Sequence, residues 1–361
     1  MAFNTAPGYG NLPNGNFSPV IYSQKVQKAF RKSSIVEDIT NSDYFGEIAN
    51  FGDSVRIIKE PEITVKEYAR GTQITAQDID DEDFTLVVDQ AHYFAFKMDD
   101  IEDAHSHVNF MDMATDRAAY RLRDQFDQEV LGYISGYKQS ALNTNAGTVN
   151  DTVSGTVAVD TAGTDELLAS MKVDATNFSL NDGGAAQAGE AVPLKPRLPG
   201  VTATTDDDIS PLQLLNRMAR LLDQQFVDTN GRWLVIDPVF MELLRDEDSR
   251  LFNSDFGENG GLRNGLTVNN LHGFRVYVSN NLPSVGGGPA QSSSTLQGTD
   301  FGVIVAGHDS AIASAQQISK TETYRDPDSF ADIVRGMNLY GRKILRPEAI
   351  TTARYVTATG V

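Results

Sequence analysis

Residues 54–133 constrain this chain most: two arms of alternating apolar and polar residues flank an acidic tip and run directly into a long helical pattern. The first arm sets Val55, Ile57, Ile63 and Val65 against Arg56, Thr64 and Lys66. The returning arm places Phe84, Leu86, Val88, Phe94, Phe96 and Met98 on one face, with Thr85, Asp89, Tyr93 and Lys97 on the other. Such a period of two marks half-buried strands, because successive strand side chains point to opposite faces. A two-stranded ribbon is marginal in water by itself. Its apolar face must be covered, either by the rest of the chain or by another copy.

The helical pattern opens at Asp99 and Asp100, whose carboxylates suit the positive end of a helix. Ile101, Ala104, Val108, Met111, Ala114, Ala118, Leu122, Phe126 and Val130 then recur at three- and four-residue spacing. No Gly or Pro interrupts the pattern before Gly132. This predicts about 33 residues of helix, a rod of roughly 50 Å, long for a compact enzyme and suited to a structural spine. Asp103, Asp116, Arg117, Arg121, Asp124 and Asp127 fill the other face and read as solvated, with Arg121 and Asp124 paired at helical spacing. His105 and His107 are two apart, on different sides of a helix, and cannot share a metal.

The tip, residues 69–83, carries Asp78, Asp80, Asp81, Glu82 and Asp83. Alternate acids resemble a calcium loop, but Asp83 stands where the sharp turn needs Gly, and no Glu follows at the closing position. The tip is therefore read as a solvated turn whose charges can meet basic groups on a partner. No metal, cofactor or catalytic site is predicted. There is no phosphate-binding Gly-Lys-Ser/Thr loop, no dinucleotide fingerprint and no Gly-x-Ser-x-Gly elbow, and the five histidines are scattered. The absence of cysteine excludes disulfides, thiolate nucleophiles and Cys-ligated zinc together. A formal charge of -19 disfavours a sequence-general grip on nucleic acid, which needs clustered cations to displace counterions.

Around this core the chain reads in order. Residues 1–18 form an arm without periodicity, and residues 1–19 lack the charged start and apolar run of a signal peptide. A short amphipathic helix follows, with Val20, Ile21, Val26, Ala29 and Phe30 opposite Lys25, Lys28, Arg31 and Lys32. No stretch has the apolar length that spans a bilayer, and the chain is expected to be made and used in the cytoplasm. Residues 140–208, rich in Thr, Ala, Gly, Asn and Asp, read as an insertion on an exposed edge, partly strand and partly loop.

Ser210 then caps a helix with Pro211 at its first position and an apolar stripe of Leu214, Leu215, Met218, Leu221, Leu222 and Phe226. A buried strand at residues 233–236, a helix after Asp237-Pro238, an alternating strand through Phe274, Val276 and Val278, and an apolar strand at 301–306 complete a sheet flanked by helices. The C-terminal segment reads as strands bent at Gly341. Its Arg335, Arg342, Lys343, Arg346 and Arg354 either accept acidic tips or arms from neighbours or form a solvated strand face.

Taken in this order, the chain resembles a major capsid protein of tailed double-stranded DNA bacteriophages, with the Hong Kong 97-type fold. The residues that carry the resemblance are the basic N-terminal arm, the loop arms at 54–67 and 84–98, and the helix from Asp99. The 233–238 strand-to-helix step, the 271–276 strand running to Asn281-Leu282-Pro283, and the closing 332–336 and 340–347 stretches complete it. The resemblance implies an α+β fold. Its parts are an N-terminal arm and lead-in (1–53), an extended β-hairpin loop (54–98), the spine helix of a peripheral domain (99–139) and a variable insertion (140–208). An axial domain (209–310) and C-terminal peripheral strands (311–361) follow.

It further implies copies that assemble as hexamers and pentamers into an icosahedral virion head built in the host bacterial cytoplasm. Scaffolding and portal proteins, decoration proteins, and packaged DNA bound without sequence preference would be its partners. On this reading Phe84, Leu86, Phe94 and Phe96 bury their face against a neighbouring subunit, with Asp78, Asp80 and Asp81 meeting Arg342 and Arg346 across the contact. An encapsulin-like shell shares the fold and is the near alternative. A surface adhesin or a carboxylate-dependent hydrolase is the distant one.

Overall fold

The computed structural model describes residues 34–41, 54–58, 63–71, 73–74, 76–78, 83–99, 110–136, 167–178, 191–194, 209–245, 270–285, 290–291, 301–327 and 330–358. The expected basic helix at 20–32, the tip acids Asp80 and Asp81, and both spine histidines lie outside them.

The returning arm forms a 17-residue strand, β2 (Asp83–Asp99). It pairs antiparallel with β1 (Ser54–Ile58) over its first residues. Its remaining length pairs with β12 (Ala331–Ile344), which in turn pairs with β11 (Ile312–Arg325). The ribbon is thus half of a four-stranded antiparallel sheet, ordered β1-β2-β12-β11. The period of two holds: from Leu86 to Met98 the even positions are buried or half-buried, and from Thr85 to Lys97 the odd ones are exposed. Two glycines of β12 allow the close pairing. A Cβ at Gly336 would come within 2.4 Å of the Phe94 ring, and one at Gly341 within 2.3 Å of the Val87 carbonyl oxygen. The expected bend at Gly341 is present as a break in register between Tyr340 and Gly341.

The long helix is α2 (Phe110–Ser135), whose described part has 26 residues and measures about 39 Å. Asp99, expected at its first turn, instead ends β2, where it pairs with Ala331. Residues 100–109, over which the helical pattern was expected to begin, lie outside the described residues. Only its C-terminal half is deeply covered: Phe126, Val130, Leu131, Tyr133 and Ile134 pack with Trp233, Val305, Tyr340, Ile344 and Ile350. At about 1.5–3 kcal/mol for each large apolar side chain fully buried, this end of the helix is the joint between the two sheets.

The second sheet is organised on β13 (Ile350–Ala358). This strand is antiparallel to β10 (Phe301–His308) and parallel to β3 (Lys172–Val173), β4 (Val192–Leu194) and β9 (Ala290–Gln291). β10 is antiparallel to β5 (Arg232–Ile236) and to β8 (Ser284–Val285). β5 continues in parallel to β7 (Phe274–Val278), which turns back to β6 (Asn270–Leu271). The C-terminal β13, grouped in the sequence with the peripheral strands, therefore shares a sheet with the strands read as axial.

Two sequence expectations need correction here. Within 140–208, β3 and β4 are strands on the outer side of β13, at the edge of the sheet as expected, but Met171, Val173, Val192 and Leu194 are buried rather than exposed. Strands of two and three residues are too short to show a period against an Ala/Thr/Gly background. In the second case, α3 (Pro211–Gln224) buries Leu214, Leu215, Met218 and Leu222, with Ser210 and Gln213 forming its capping box. Phe226, placed on that stripe by its spacing from Leu222, lies beyond the helix end and is exposed. The next helix, α4 (Pro238–Arg245), follows Asp237 as expected and buries Phe240, Met241 and Leu244.

Candidate assembly surface

The base of the hairpin is fixed by charges that the helix carries inward. Asp127, read as solvated, is fully buried. Its Oδ1 accepts from the Ser34 hydroxyl at 3.0 Å and from the Ile35 and Val36 backbone N–H groups at 3.1 and 3.0 Å. These last two groups lie at the start of α1 (Val36–Ile39), so the carboxylate meets the donors a short helix leaves open. The Asn281 amide donates to Asp127 Oδ2 and to Asp124 Oδ1, each at 3.0 Å. Arg121 reaches Asp124 at 3.5 Å, the pair expected from helical spacing. One turn of α2 thereby joins the N-terminal lead-in to the loop after β7. Heptad-like spacing alone assigned these acids to water; the signal missed was an Asp three residues from another Asp beside the buried Phe126.

One turn further along, Glu129 accepts from Arg342 of β12 at 2.9 Å, with each side chain only about 10% exposed. The Arg342 guanidinium also lies over the Tyr133 ring, 4.9 Å from its centre. His92 Nε2 sits 3.1 Å from the Tyr340 hydroxyl and 3.8 Å from Glu129. Burial, and after it the Glu129 charge, pushes the Tyr340 phenol above its ordinary pKa, so it stays neutral and available as a donor. Tyr340 also packs edge-on against Phe126 at 4.7 Å. The network locks β2, β12 and α2 together.

The predicted contact residues divide accordingly. Leu86 is 0% exposed, packed with Val88, Ala313 and Ala315 of its own chain, so its assignment to a subunit contact is corrected. Arg342 is likewise committed inside the chain. Phe94 and Phe96 are half-buried and stack at 6.2 Å on the face that β12 completes. For Phe84 the backbone pairs with Ile57, and its side chain lies outside the described set. Asp78 and Arg346 are exposed.

Beyond the sheet the hairpin opens out. Every described residue between 63 and 78 is exposed, among them Ile63, Tyr68, Ile74 and Val65, the last at 95%. The first arm is not a strand here: Thr64 N–H donates to the Gln77 side chain at 3.1 Å, a side-chain link in place of a ladder. Apolar side chains at these positions have no shelter in the chain, which is the pattern of a surface awaiting a partner. Among the described residues no group of three His, Asp or Glu side chains is placed to hold a metal ion, and no helix is long and apolar enough to cross a membrane.

An α+β chain with this hairpin, spine helix and strand order has the Hong Kong 97-type capsid fold, and solved phage structures share it over nearly their whole length. A chain from Mycobacterium phage Che8 superposes with a TM-score of 0.64 at 24% identity, covering 94% of this chain and 97% of its own. The capsid structure of the Cyanophage P-SCSP1u gives 0.62 at 19% identity, with 96% and 94% covered. The capsid of Ralstonia phage GP4 gives 0.62 at 12% identity, with 99% and 100% covered. No protein-family model and no curated protein matches the chain.

Proposed function

We propose that the chain is a major capsid protein, a structural subunit that joins its own copies as hexamers and pentamers in the icosahedral head of a tailed phage. The observation that carries this reading is the end-to-end agreement of its fold with chains from phage capsids. The exposed hairpin supports it: residues 63–78 place apolar side chains in water, where closed symmetry would cover them once per copy. Many such contacts, each weak, sum to a stable shell. Scaffolding, portal and decoration proteins are the further partners, and double-stranded DNA is the cargo. An acidic chain makes a wall along which DNA slides during filling, because it offers few cations to exchange for counterions.

Negative-stain imaging and sedimentation of the purified protein, alone and with a scaffold, test the reading. Closed hollow particles of uniform size are the expected result. A chain that stays monomeric at high concentration in both conditions overturns it. Strong binding of DNA by empty particles at moderate salt overturns the sliding wall while leaving the shell intact.

A further inference from the structure

The chain holds four Asn-Gly pairs, at 14–15, 230–231, 259–260 and 264–265. At such a pair the Gly backbone nitrogen can close a ring onto the asparagine Cγ, and no Cβ stands in its way. Among the described residues the pair is Asn230–Gly231, in the turn that enters β5. The Asn230 side chain is exposed, so its amide meets water. The Gly231 carbonyl accepts from the Asp309 N–H at 3.1 Å, whereas the Gly231 N–H makes no backbone bond among the described residues. The attacking nitrogen is therefore unengaged.

The turn at the end of β10 meets this pair. Ser310 N–H donates to His308 Nδ1 at 3.2 Å, so that nitrogen accepts and Nε2 carries the proton. Nε2 lies 2.7 Å from the Asn230 carbonyl oxygen, which can only accept. That oxygen belongs to the peptide group whose nitrogen is that of Gly231, and it takes up the negative charge when the nitrogen gives up its proton. A donor aimed at it makes the Gly231 N–H more acidic and the nitrogen a better nucleophile. Asp309, whose carboxylate also lies against Gly231, is paired with Arg275, which offsets the charge it would set against that step.

We propose that Asn230 is a deamidation site, activated by His308, at which the protein converts to aspartate and isoaspartate as it ages. The Gly231 nitrogen bonds to the Asn230 Cγ, the bond from Cγ to the side-chain nitrogen breaks, and ammonia leaves. Water then opens the succinimide at one carbonyl or the other, and nothing is oxidised or reduced. Opening at the backbone carbonyl reroutes the main chain through the side chain and lengthens it by one methylene just before β5. The reaction goes beyond the shell reading and does not depend on it.

The test incubates the full-length parent in neutral buffer and follows Asn230 by peptide mass spectrometry, with enzymatic methylation to detect isoaspartate. A synthetic peptide of residues 226–236, which has the same pair without His308, is the reference. Asn230 in the folded chain should convert about tenfold faster than in the peptide, the scale of one hydrogen bond to a developing charge. Full-length His308→Leu should convert at the peptide's rate or below it, with the pairs at 14, 259 and 264 unaffected. The aged parent should melt about 2–4 °C below the fresh one, and an aged Asn230→Ser chain, which cannot react there, should not. An Asn230 still intact in the folded parent when the peptide has converted overturns the proposal, by showing that Asp228, His308 and Asp309 hold the turn too firmly for ring closure. Conversion at the parent's rate in His308→Leu overturns the activation. If His308→Leu does not fold, the parent against the peptide decides alone.

Discussion

The buried end of the spine helix and the outer hairpin loop use similar residues to opposite ends. Near residue 130, acids and cations are enclosed: Asp127 gathers donors from two other segments, and Glu129 takes Arg342 out of water. Between residues 63 and 78, Ile63, Val65, Tyr68 and Ile74 stand in solvent. The first region has paired these charged groups and packed its apolar side chains within one chain, although the Trp233 Nε1 there is buried without a hydrogen-bond partner. The second has not begun to. Folding and association are thus assigned to different stretches, so a change in one should leave the other almost untouched.

Deleting residues 61–81 makes the sharpest separation. The four-stranded sheet does not depend on them, so the subunit should melt within about 2 °C of the parent while forming no closed particles at all. Normal shells from that deletion would remove the hairpin from assembly. Removing 146–188 should do the reverse. It takes Met171 and Val173 out of the core and β3 off β13, and a buried Met replaced by nothing costs about 2–5 kcal/mol before the strand is counted. Circular dichroism should find that product largely unfolded or insoluble; a soluble, cooperatively melting subunit would return this stretch to the surface.

A smaller effect probes the enclosed side alone. Glu129→Ala leaves Arg342 about nine-tenths buried beside Tyr133 without its carboxylate, which should cost about 3 kcal/mol in urea unfolding. Particles formed from the surviving folded fraction should look normal. If Glu129→Ala left unfolding unchanged and blocked assembly, the pair would belong to an interface, and the division between the two regions would fail.

The parts of the fold that the sequence made legible are those with long uninterrupted periods. The alternation in β2, the helical stripe ending at Val130, the Ser210-Pro211 start of α3 and the step from strand to helix at Asp237-Pro238 are all where their patterns put them. Partners remote in sequence were not legible. Nothing local to 83–99 announces that β12, more than 230 residues later, pairs with the ribbon, or that Ala313 and Ala315 of β11 pack on Leu86, and this is why Leu86 was assigned to a neighbour. Asp127 and Arg342 failed for the same reason: a charged residue is assigned to water until its buried partner is known. Phe226 failed by one turn, since spacing carries a stripe forward past the point where the helix stops.

The mildest prediction concerns a half-buried carboxylate at the start of α4. Asp237 Oδ1 accepts from the Phe240 N–H at 3.1 Å at the start of α4 and also from the Tyr355 hydroxyl. Burial raises its pKa above the ordinary 3.8, and the bonds from Tyr355 and Phe240 only partly oppose that rise. A folded-state pKa above the unfolded one means that the native chain binds the extra proton. The contribution of Asp237 to stability is therefore greatest below pH 3.8 and declines as pH rises through the raised value. Asp237→Asn keeps an oxygen to cap the helix but cannot ionise, so its unfolding free energy should lack that decline. The parent's advantage over the variant should shrink from pH 4 upward and then level off. Parallel stability curves for the two proteins would show that Asp237 is hydrated enough to titrate as it does in the unfolded chain, and that water reaches the core beneath α4.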